Sequence, residues 1–181
     1  MSQLNQEIQR AKPIKENPMR EIKIEKIILS CSGVDVELQK SKKLLELISG
    51  KKAQIIASKK RIPEFGVRPG LEVGTRVTLR GPEAIEVLKR LLGAVDNVLS
   101  ILSVSQNTFS FGIKEYIDIP DIAYQRDLGI RGLNVTVTFT RPGARVVRKK
   151  IKQGRLPKRF MISEDEIMEF MKLNFKSKFR R

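Results

Sequence analysis

The 181-residue sequence predicts an α+β fold: an antiparallel sheet with helices packed on one face. Two observations predict it. Several segments alternate apolar and polar residues, as half-buried strands do, and others place apolar residues at helical spacing. These segments follow one another as strand, helix, strand, strand, helix, strands, helix. That order is typical of the split βαβ pattern, to which a basic C-terminal arm and helix are added.

Three elements are predicted before residue 59. The segment from Arg20 to Ser30 alternates at first and then becomes apolar on both sides, which indicates a strand whose end is buried on both faces. A helix follows and ends near Gly50, since glycine commonly terminates helices. A short strand is predicted over residues 53–58. The buried stripe of the helix is expected to be Leu38, Ser41, Leu44, Leu45 and Ile48.

The middle of the chain predicts a long loop, a strand and a second helix. Residues 59–71 contain two prolines, two glycines and four basic residues, which excludes regular structure. Residues 73–80 alternate, so Thr78 and Arg80 are expected on the polar face. Pro82 suits the first position of a helix. The predicted buried stripe of this helix is Ile85, Leu88, Leu92 and Val95.

The last third predicts further strands and a third long helix. Residues 98–116 can supply one or two strands, and the clearest strand of the chain covers residues 133–140, with Val135 and Val137 inward. Ser163 and Glu166 form a capping box at the start of the last helix. The apolar face of that helix, which must pack against something, contains Ile167, Phe170, Met171 and Phe175.

Composition excludes several kinds of chemistry. The chain has 36 basic and 20 acidic residues, a net charge of +16, no histidine and one cysteine. Histidine-based catalysis, histidine metal sites and disulfides within the chain are therefore excluded, and no cofactor or metal is predicted. Cys31 is expected to be a buried thiol of an intracellular protein. No apolar run is long enough for a membrane span, and no signal peptide or membrane partner is predicted.

The strongest functional signal lies at residues 141–160, where nine of twenty residues are Lys or Arg and none is acidic. Such unbalanced charge favours a polyphosphate partner, because neutralising phosphates releases counterions. Proline and glycine interrupt the stretch, which favours an extended arm threading between RNA helices over a recognition helix. The predicted RNA-binding residues of the arm are Arg141, Arg145, Arg148, Lys149, Lys150, Lys152, Arg155, Lys158 and Arg159.

The loop at residues 59–71 is the second signal. Its length, its positive charge and its single aromatic residue favour a binding finger over a plain surface loop. The residues expected to make contacts are Lys59, Lys60, Arg61, Phe65 and Arg68. Three parts of the chain are predicted from these patterns: a flexible leader over residues 1–19, an RNA-binding α+β domain over 20–140, and the arm with its packed helix over 141–181.

An RRM-type protein, in which exposed aromatic residues of a sheet stack RNA bases, is the nearest alternative. The sequence NTFSFGIKEY at residues 107–116 superficially resembles such a strand. However, Phe109, Phe111 and Ile113 share one face, and a lone apolar stripe of this kind is more often core. An RRM-like topology is therefore predicted without aromatic stacking. A free RNA-binding regulator or processing factor remains the alternative function, and an RNA-acting enzyme a distant third.

Several ordered blocks resemble one known family. In chain order they read ENPMREIKIEKI, SKKRIPEFGVRPGLEVGTRVTLRG, FSFGIKEYIDIP, LGIRGLNV, RPG at residues 141–143 and LPKRFMISEDEIMEF. From about Glu16 to Phe175 they closely resemble the large-subunit ribosomal protein L-five family, whose eukaryotic member is called L-eleven. NPMRE and the basic PKRF tail are similar to the archaeal and eukaryotic branch, with the archaeal type preferred. One departure is Ser30 to Gly33, where the family commonly has an asparagine and a glycine-rich turn.

The resemblance implies a structural, non-enzymatic protein of the cytoplasmic ribosome. It implies binding to 5S rRNA and large-subunit rRNA at the central protuberance, beside a second 5S-binding ribosomal protein. It also implies a place near peptidyl-site tRNA and in a bridge to a small-subunit protein. By resemblance, Thr78 and Arg80 contact 5S rRNA, and the loop with Lys59, Lys60, Arg61 and Arg68 points toward tRNA.

Overall fold

A computed structural model describes residues 17–180. Within this range the main sheet has six strands, and every neighbouring pair is antiparallel. The strands lie in the order β2-β3-β1-β7-β6-β5. They span Lys23–Ser32 (β1), Gln54–Ala57 (β2), Glu72–Leu79 (β3), Val104–Ser105 (β5), Thr108–Ile113 (β6) and Leu133–Thr140 (β7).

Within residues 17–180, four α-helices and a second, smaller sheet complete the described part of the fold. The helices span Val36–Ser49 (α1), Pro82–Gly93 (α2), Arg145–Arg148 (α3) and Glu164–Phe175 (α4). The strands Val98–Ser100 (β4) and Lys178–Arg180 (β8) pair in parallel with each other. Short 3-10 turns occur at Pro18–Arg20, Pro63–Phe65, Ile101–Ser103, Tyr116–Asp118 and Lys158–Phe160.

The strand order confirms the predicted fold class. β1, α1 and β2 form one split βαβ unit, because β3 lies between the two strands. β3, α2 and β7 form a second unit that is split by β1 in the same way. The four strands β2-β3-β1-β7 therefore have the RRM-like arrangement, and β6 and β5 extend it at the β7 edge. The extension comes from the chain between α2 and β7.

One face of the sheet forms the core with the helices. Val135 and Val137 are fully buried at its centre, and Ile27 and Leu29 of β1 are equally buried beside them. The apolar faces of α1, α2 and α4 pack in the same cluster. The predicted inward residues of residues 133–140 and the capping box at Ser163 are confirmed. Gly50 ends α1 in the left-handed conformation with φ of 64°, as predicted.

The predicted buried stripe of α2 is partly wrong. Ile85 is 39% exposed, and Val95 lies beyond the end of the helix and is half-buried. The residues that face the core are Ala84, Val87, Leu88, Leu91 and Leu92. The helix has apolar residues in two overlapping helical registers, and the register that contains the small Ala84 is the one that faces the sheet. Periodicity alone could not distinguish the two.

Cys31 is buried, as predicted, and its thiol donates to the carbonyl of Gly132 at 3.1 Å. Burial raises the pKa of the thiol to about 11, against a smaller lowering by the Arg131 guanidinium. The thiol therefore stays protonated near neutral pH and is a poor nucleophile.

The predicted division of the chain at residue 140 stays a prediction. Most of the predicted leader lies outside the described residues; its last residues begin a 3-10 turn in which the Asn17 side chain accepts from the Met19 backbone. Ile162, Ile167 and Met171 belong to the same buried cluster as the sheet. β8 was not predicted, since three residues at the end of a chain carry too short a pattern.

Candidate nucleic-acid interface

The open face of the sheet is a polar surface made of rows that cross neighbouring strands. In one row Thr78, Ile28, Thr136 and Ser110 lie side by side on β3, β1, β7 and β6. Thr78 and Arg80 are exposed, as the alternation of β3 predicts. Arg76 lies on the same face, and its Nε donates to the side chain of Gln54 at 3.1 Å. Hydroxyls and cations at these positions can hydrogen-bond phosphate and sugar groups.

Among residues 17–180, the central strands of the face carry none of the aromatic residues that an RRM uses to stack bases. The open-face positions at the centre of β1 and β3 are Ile28, Ser30, Arg76 and Thr78. The aromatic residues of β6 belong instead to the core, as predicted: Phe109 is 1% exposed and its ring stacks on Phe111 at 5.3 Å. These two strands therefore offer no aromatic platform of the RRM type at their centre.

The two ends of the arm, residues 141–160, are tied together. Arg141 is only 8% exposed, and its Nη2 lies 2.7 and 2.6 Å from the two carboxylate oxygens of Glu166. Its Nη1 donates to the carbonyl of Arg159 at 3.3 Å, whereas its Nε is buried without an acceptor among residues 17–180. The backbone of Ile162 donates to Asn107 at 2.7 Å. Arg141 thus anchors the arm rather than presenting its charge to solvent.

The expectation of an extended arm is wrong. The chain turns after β7, forms the single helical turn α3, and then folds back on itself. The Gly154 backbone donates to the carbonyl of Val146 at 3.2 Å, and a Cβ on Gly154 would stand 2.7 Å from the Val146 side chain. Glycine at this position permits the close approach of the backbone to the Val146 side chain.

The charge of the arm is also less unbalanced than the sequence indicates. Arg148 pairs with Glu25 of β1 at 2.5 Å, so two of the nine cations, Arg141 and Arg148, have carboxylate partners from other elements. Glu25 lies at a register shift of β1 against β7, and its side chain is only 14% exposed. The other seven cations are exposed and have no ion pair within the described part of the chain: Arg145, Lys149, Lys150, Lys152, Arg155, Lys158 and Arg159.

A groove of about 700 Å³ separates the arm from the end of the sheet. Its polar lining includes Glu25, Thr138, Arg148 and Arg155. Its apolar lining includes Val147, Leu156 and Phe160. The groove therefore combines cations and hydroxyls with apolar side chains.

The loop at residues 59–71 forms a closed finger between β2 and β3. Backbone bonds of 2.8 Å from Ser58 to Leu71 and from Gly70 to Ser58 close its base. Higher up, Ile62 and Val67 form an isolated bridge, and Val67 is buried. A 3-10 turn at Pro63–Phe65 carries Phe65, which is 76% exposed. The cations of the finger, Lys59, Lys60, Arg61 and Arg68, are all exposed.

The structure does not bring the predicted site residues into one cluster. Leu79 pairs with Ile27, and Thr140 with Lys23, so Arg80 and the arm lie at the same end of the sheet. The finger lies at the opposite end, about 25 Å away along the eight residues of β3 at ~3.4 Å each. The described chain thus has one basic region at each end of a polar sheet face.

Sequence reasoning missed three contributors to this surface. Arg76 could have been found, because the alternation that identified Thr78 and Arg80 places it on the same face. Glu25 and Asn107 could not: the role of Glu25 depends on a strand irregularity, and that of Asn107 on a turn with φ of 60°.

Residues 17–180 contain no helix that is long and apolar enough to cross a membrane. Nor do they contain a group of three or more acidic or cysteine side chains placed to hold a metal ion.

The fold and the charge define a class: a basic α+β protein of RRM-like topology with a polar, cation-lined sheet face. A family model described as ribosomal protein L5 matches residues 17–68, and one described as the C-terminus of the same ribosomal family matches residues 72–175. Large ribosomal subunit protein uL5 of Sulfurisphaera tokodaii is 40% identical, over 88% of this chain and 92% of its own length. The protein of the same name from Nanoarchaeum equitans is 41% identical, over 86% and 94%.

The chain therefore belongs to the ribosomal protein L5 family, and its similarity is to archaeal members. The predicted family is confirmed. Membership of this family also confirms three further predictions. The protein is a structural constituent of the large ribosomal subunit, it is located on the ribosome in the cytoplasm, and it is not an enzyme. Binding of ribosomal RNA is consistent with this membership.

Proposed function

We propose that the protein binds 5S rRNA and large-subunit rRNA at the central protuberance, and that the two ends of its sheet contact different partners. The observation that carries the proposal is the separation of the two basic regions by the length of β3. Two regions so far apart can contact different RNA molecules at the same time.

In this proposal the arm end holds rRNA. Seven exposed cations of the arm lie at the same end of the sheet as Arg80, with Thr78 two residues before it on the same face. Arg141 is not proposed as a phosphate contact, since it is buried against Glu166; it positions the others. The mixture of cations with threonine hydroxyls supports contact with phosphates and 2′-hydroxyls, which is how proteins recognise folded RNA without reading bases.

The finger end is proposed to face peptidyl-site tRNA and a small-subunit bridge protein. Its exposed Phe65 and four exposed cations support a partner that offers both phosphates and a stacking or apolar surface. A second 5S-binding ribosomal protein is the remaining proposed partner.

Filter binding of the full chain to a 5S rRNA transcript tests the proposal, with an unrelated structured RNA of the same length as control. We expect the 5S complex to be at least tenfold tighter at physiological salt. A ribosomal constituent should also sediment with the large subunit after a high-salt wash. Equal affinity for both RNAs, together with release from the subunit in high salt, would favour a free RNA-binding regulator instead.

A further inference from the structure

We propose that the groove between the arm and the sheet is a phosphate-binding subsite for RNA that Glu25 occupies while no RNA is bound. This inference rests on the proposed RNA binding and adds to it a site and its control. In the absence of RNA the Glu25 carboxylate takes the place of a backbone phosphate as the partner of Arg148. When RNA enters the groove, its phosphate displaces the Glu25 carboxylate as the partner of Arg148.

The placement of Glu25 supports this inference. The Glu25 carboxylate is largely buried at the register shift of β1, where it lines the groove beside the basic arm. A carboxylate here opposes an incoming phosphate and already binds a cation that RNA would use. Glu21 offers a contrast: it also pairs with a cation, Lys23, but both side chains are 58% exposed.

The placement of Arg148 shows how the exchange can occur. Its side chain is 56% exposed although it contacts Glu25 at 2.5 Å, so more than half of the side chain is accessible to an incoming ligand. A guanidinium can bind a phosphate in place of a carboxylate with the same geometry. Such a half-exposed pair contributes modestly, which makes it displaceable by an RNA that is held elsewhere.

The lining of the groove suits a nucleotide. Arg155, Thr138 and Thr140 add a second cation and two hydroxyls near Arg148, and Val147 and Leu156 offer an apolar wall for a sugar or base. Its volume of about 700 Å³ lies within the range of ordinary ligand sites. RNA backbone, rather than free phosphate, is the proposed occupant, because the arm that lines the groove carries further exposed cations, such as Lys149 and Lys150, that can contact neighbouring phosphates.

The test compares full-length Glu25→Gln with the matched control Glu21→Gln, which changes the net charge equally. The probes are a 20-nucleotide oligouridylate and a 5S rRNA transcript, titrated at several salt concentrations. Glu25→Gln should tighten oligouridylate binding about threefold to tenfold and steepen its log–log salt slope by about 0.7, because Arg148 becomes free to contact one more phosphate. Glu21→Gln should leave the slope unchanged.

With 5S rRNA, Glu25→Gln should raise affinity but leave the slope unchanged, since wild-type Arg148 already contacts this RNA. Arg148→Gln should flatten the 5S slope and leave the oligouridylate slope as it is. Glu25→Asp keeps the charge and withdraws the carboxylate, so it should shift oligouridylate binding toward Glu25→Gln even if the glutamine variant folds poorly.

Equal behaviour of Glu25→Gln and Glu21→Gln with oligouridylate would overturn the inference. So would a 5S slope that Arg148→Gln does not change, because Arg148 would then stay on Glu25 in the complex. If the wild-type chain fails to prefer 5S rRNA, the proposed function fails, while the oligouridylate comparison still reports on Glu25.

Discussion

The arm and the finger are both basic loops, yet they are held by different forces. The arm is tied to the core through side chains: Arg141 to Glu166, Arg148 to Glu25, and Asn107 to the Ile162 backbone. The finger is closed by its own backbone at Ser58, Gly70 and Leu71. Changes at Arg141 and Arg148, which tie the arm, should therefore affect stability as well as binding, whereas changes at the exposed cations of the finger should affect mainly binding.

The Arg141→Ala substitution is the strongest test of this difference between the arm and the finger. The substitution removes the cation that joins both ends of the arm and leaves Glu166, which is 44% exposed, without its partner. We expect the free energy of unfolding to fall by about 2–3 kcal/mol, below the full cost of orphaning a buried charge because water can reach Glu166. Chemical denaturation measures it.

Arg145→Ala is the control for that experiment, since Arg145 lies on the same arm, is exposed and has no ion pair within residues 17–180. It should change stability by less than about 0.5 kcal/mol. If both variants unfold at the same denaturant concentration, Arg141 is not an anchor.

The assignment of the buried and open faces of the sheet can be tested at the centre of β7. Val137 is fully buried between β1 and β6, so Val137→Ala should cost about 1–3 kcal/mol through lost burial and a small cavity. Thr136→Ala, on the open face of the same strand, should cost much less. Equal melting temperatures for the two variants would contradict the assignment of faces.

The sequence predicted this scaffold well because period-two alternation and helical stripes report burial directly. Residues 133–140 and the Ser163 capping box needed only local patterns. The arm was harder to predict, because its conformation depends on contacts between distant residues. The ion pairs of Arg141 and Arg148 cross 25 and 123 positions, and composition reports charge but not the position of the opposing charge. The predicted buried face of α2 was partly wrong for a related reason, because packing against the sheet decides which of two apolar registers is buried.

The predicted site residues also divide into those that local patterns could place and those whose position depends on distant contacts. Alternation placed Thr78 and Arg80 on the open face, and the breakers of residues 59–71 indicated an exposed loop. Patterns of this kind show which residues can reach a partner. They do not show that an arginine such as Arg141 is buried, because its neighbours in sequence are as basic as those of exposed residues.

Neutralising Lys149 and Lys150 together should separate binding from stability in the arm. Both are exposed and neither has an ion pair in the described part of the chain. If each contacts a phosphate, the log–log salt slope for 5S rRNA should flatten by up to about 2 units, with no change in melting temperature. Lys59 and Lys60 of the finger, neutralised together, are the control and should leave that slope unchanged. A lowered melting temperature with an unaltered slope would contradict a phosphate-binding role for the arm.

Shortening the finger should have the smallest effect on 5S rRNA binding and should leave the sheet folded. Residues 59–70 can be replaced by an Asn-Gly turn, because Ser58 and Leu71 already face each other across the base. A shorter loop costs little closure entropy, and loss of the buried Val67 side chain should lower stability by about 1.5–3 kcal/mol at most. Cys31 provides the control for folding, because it pairs with Thr75 near the finger. Its buried thiol, with a pKa of about 11, should stay slow to alkylate if the sheet remains folded. Affinity for 5S rRNA should change less than twofold, while subunits carrying the variant should translate poorly. If 5S binding collapses and Cys31 remains protected, the finger anchors rRNA, and the division of work between the two ends of the sheet is wrong.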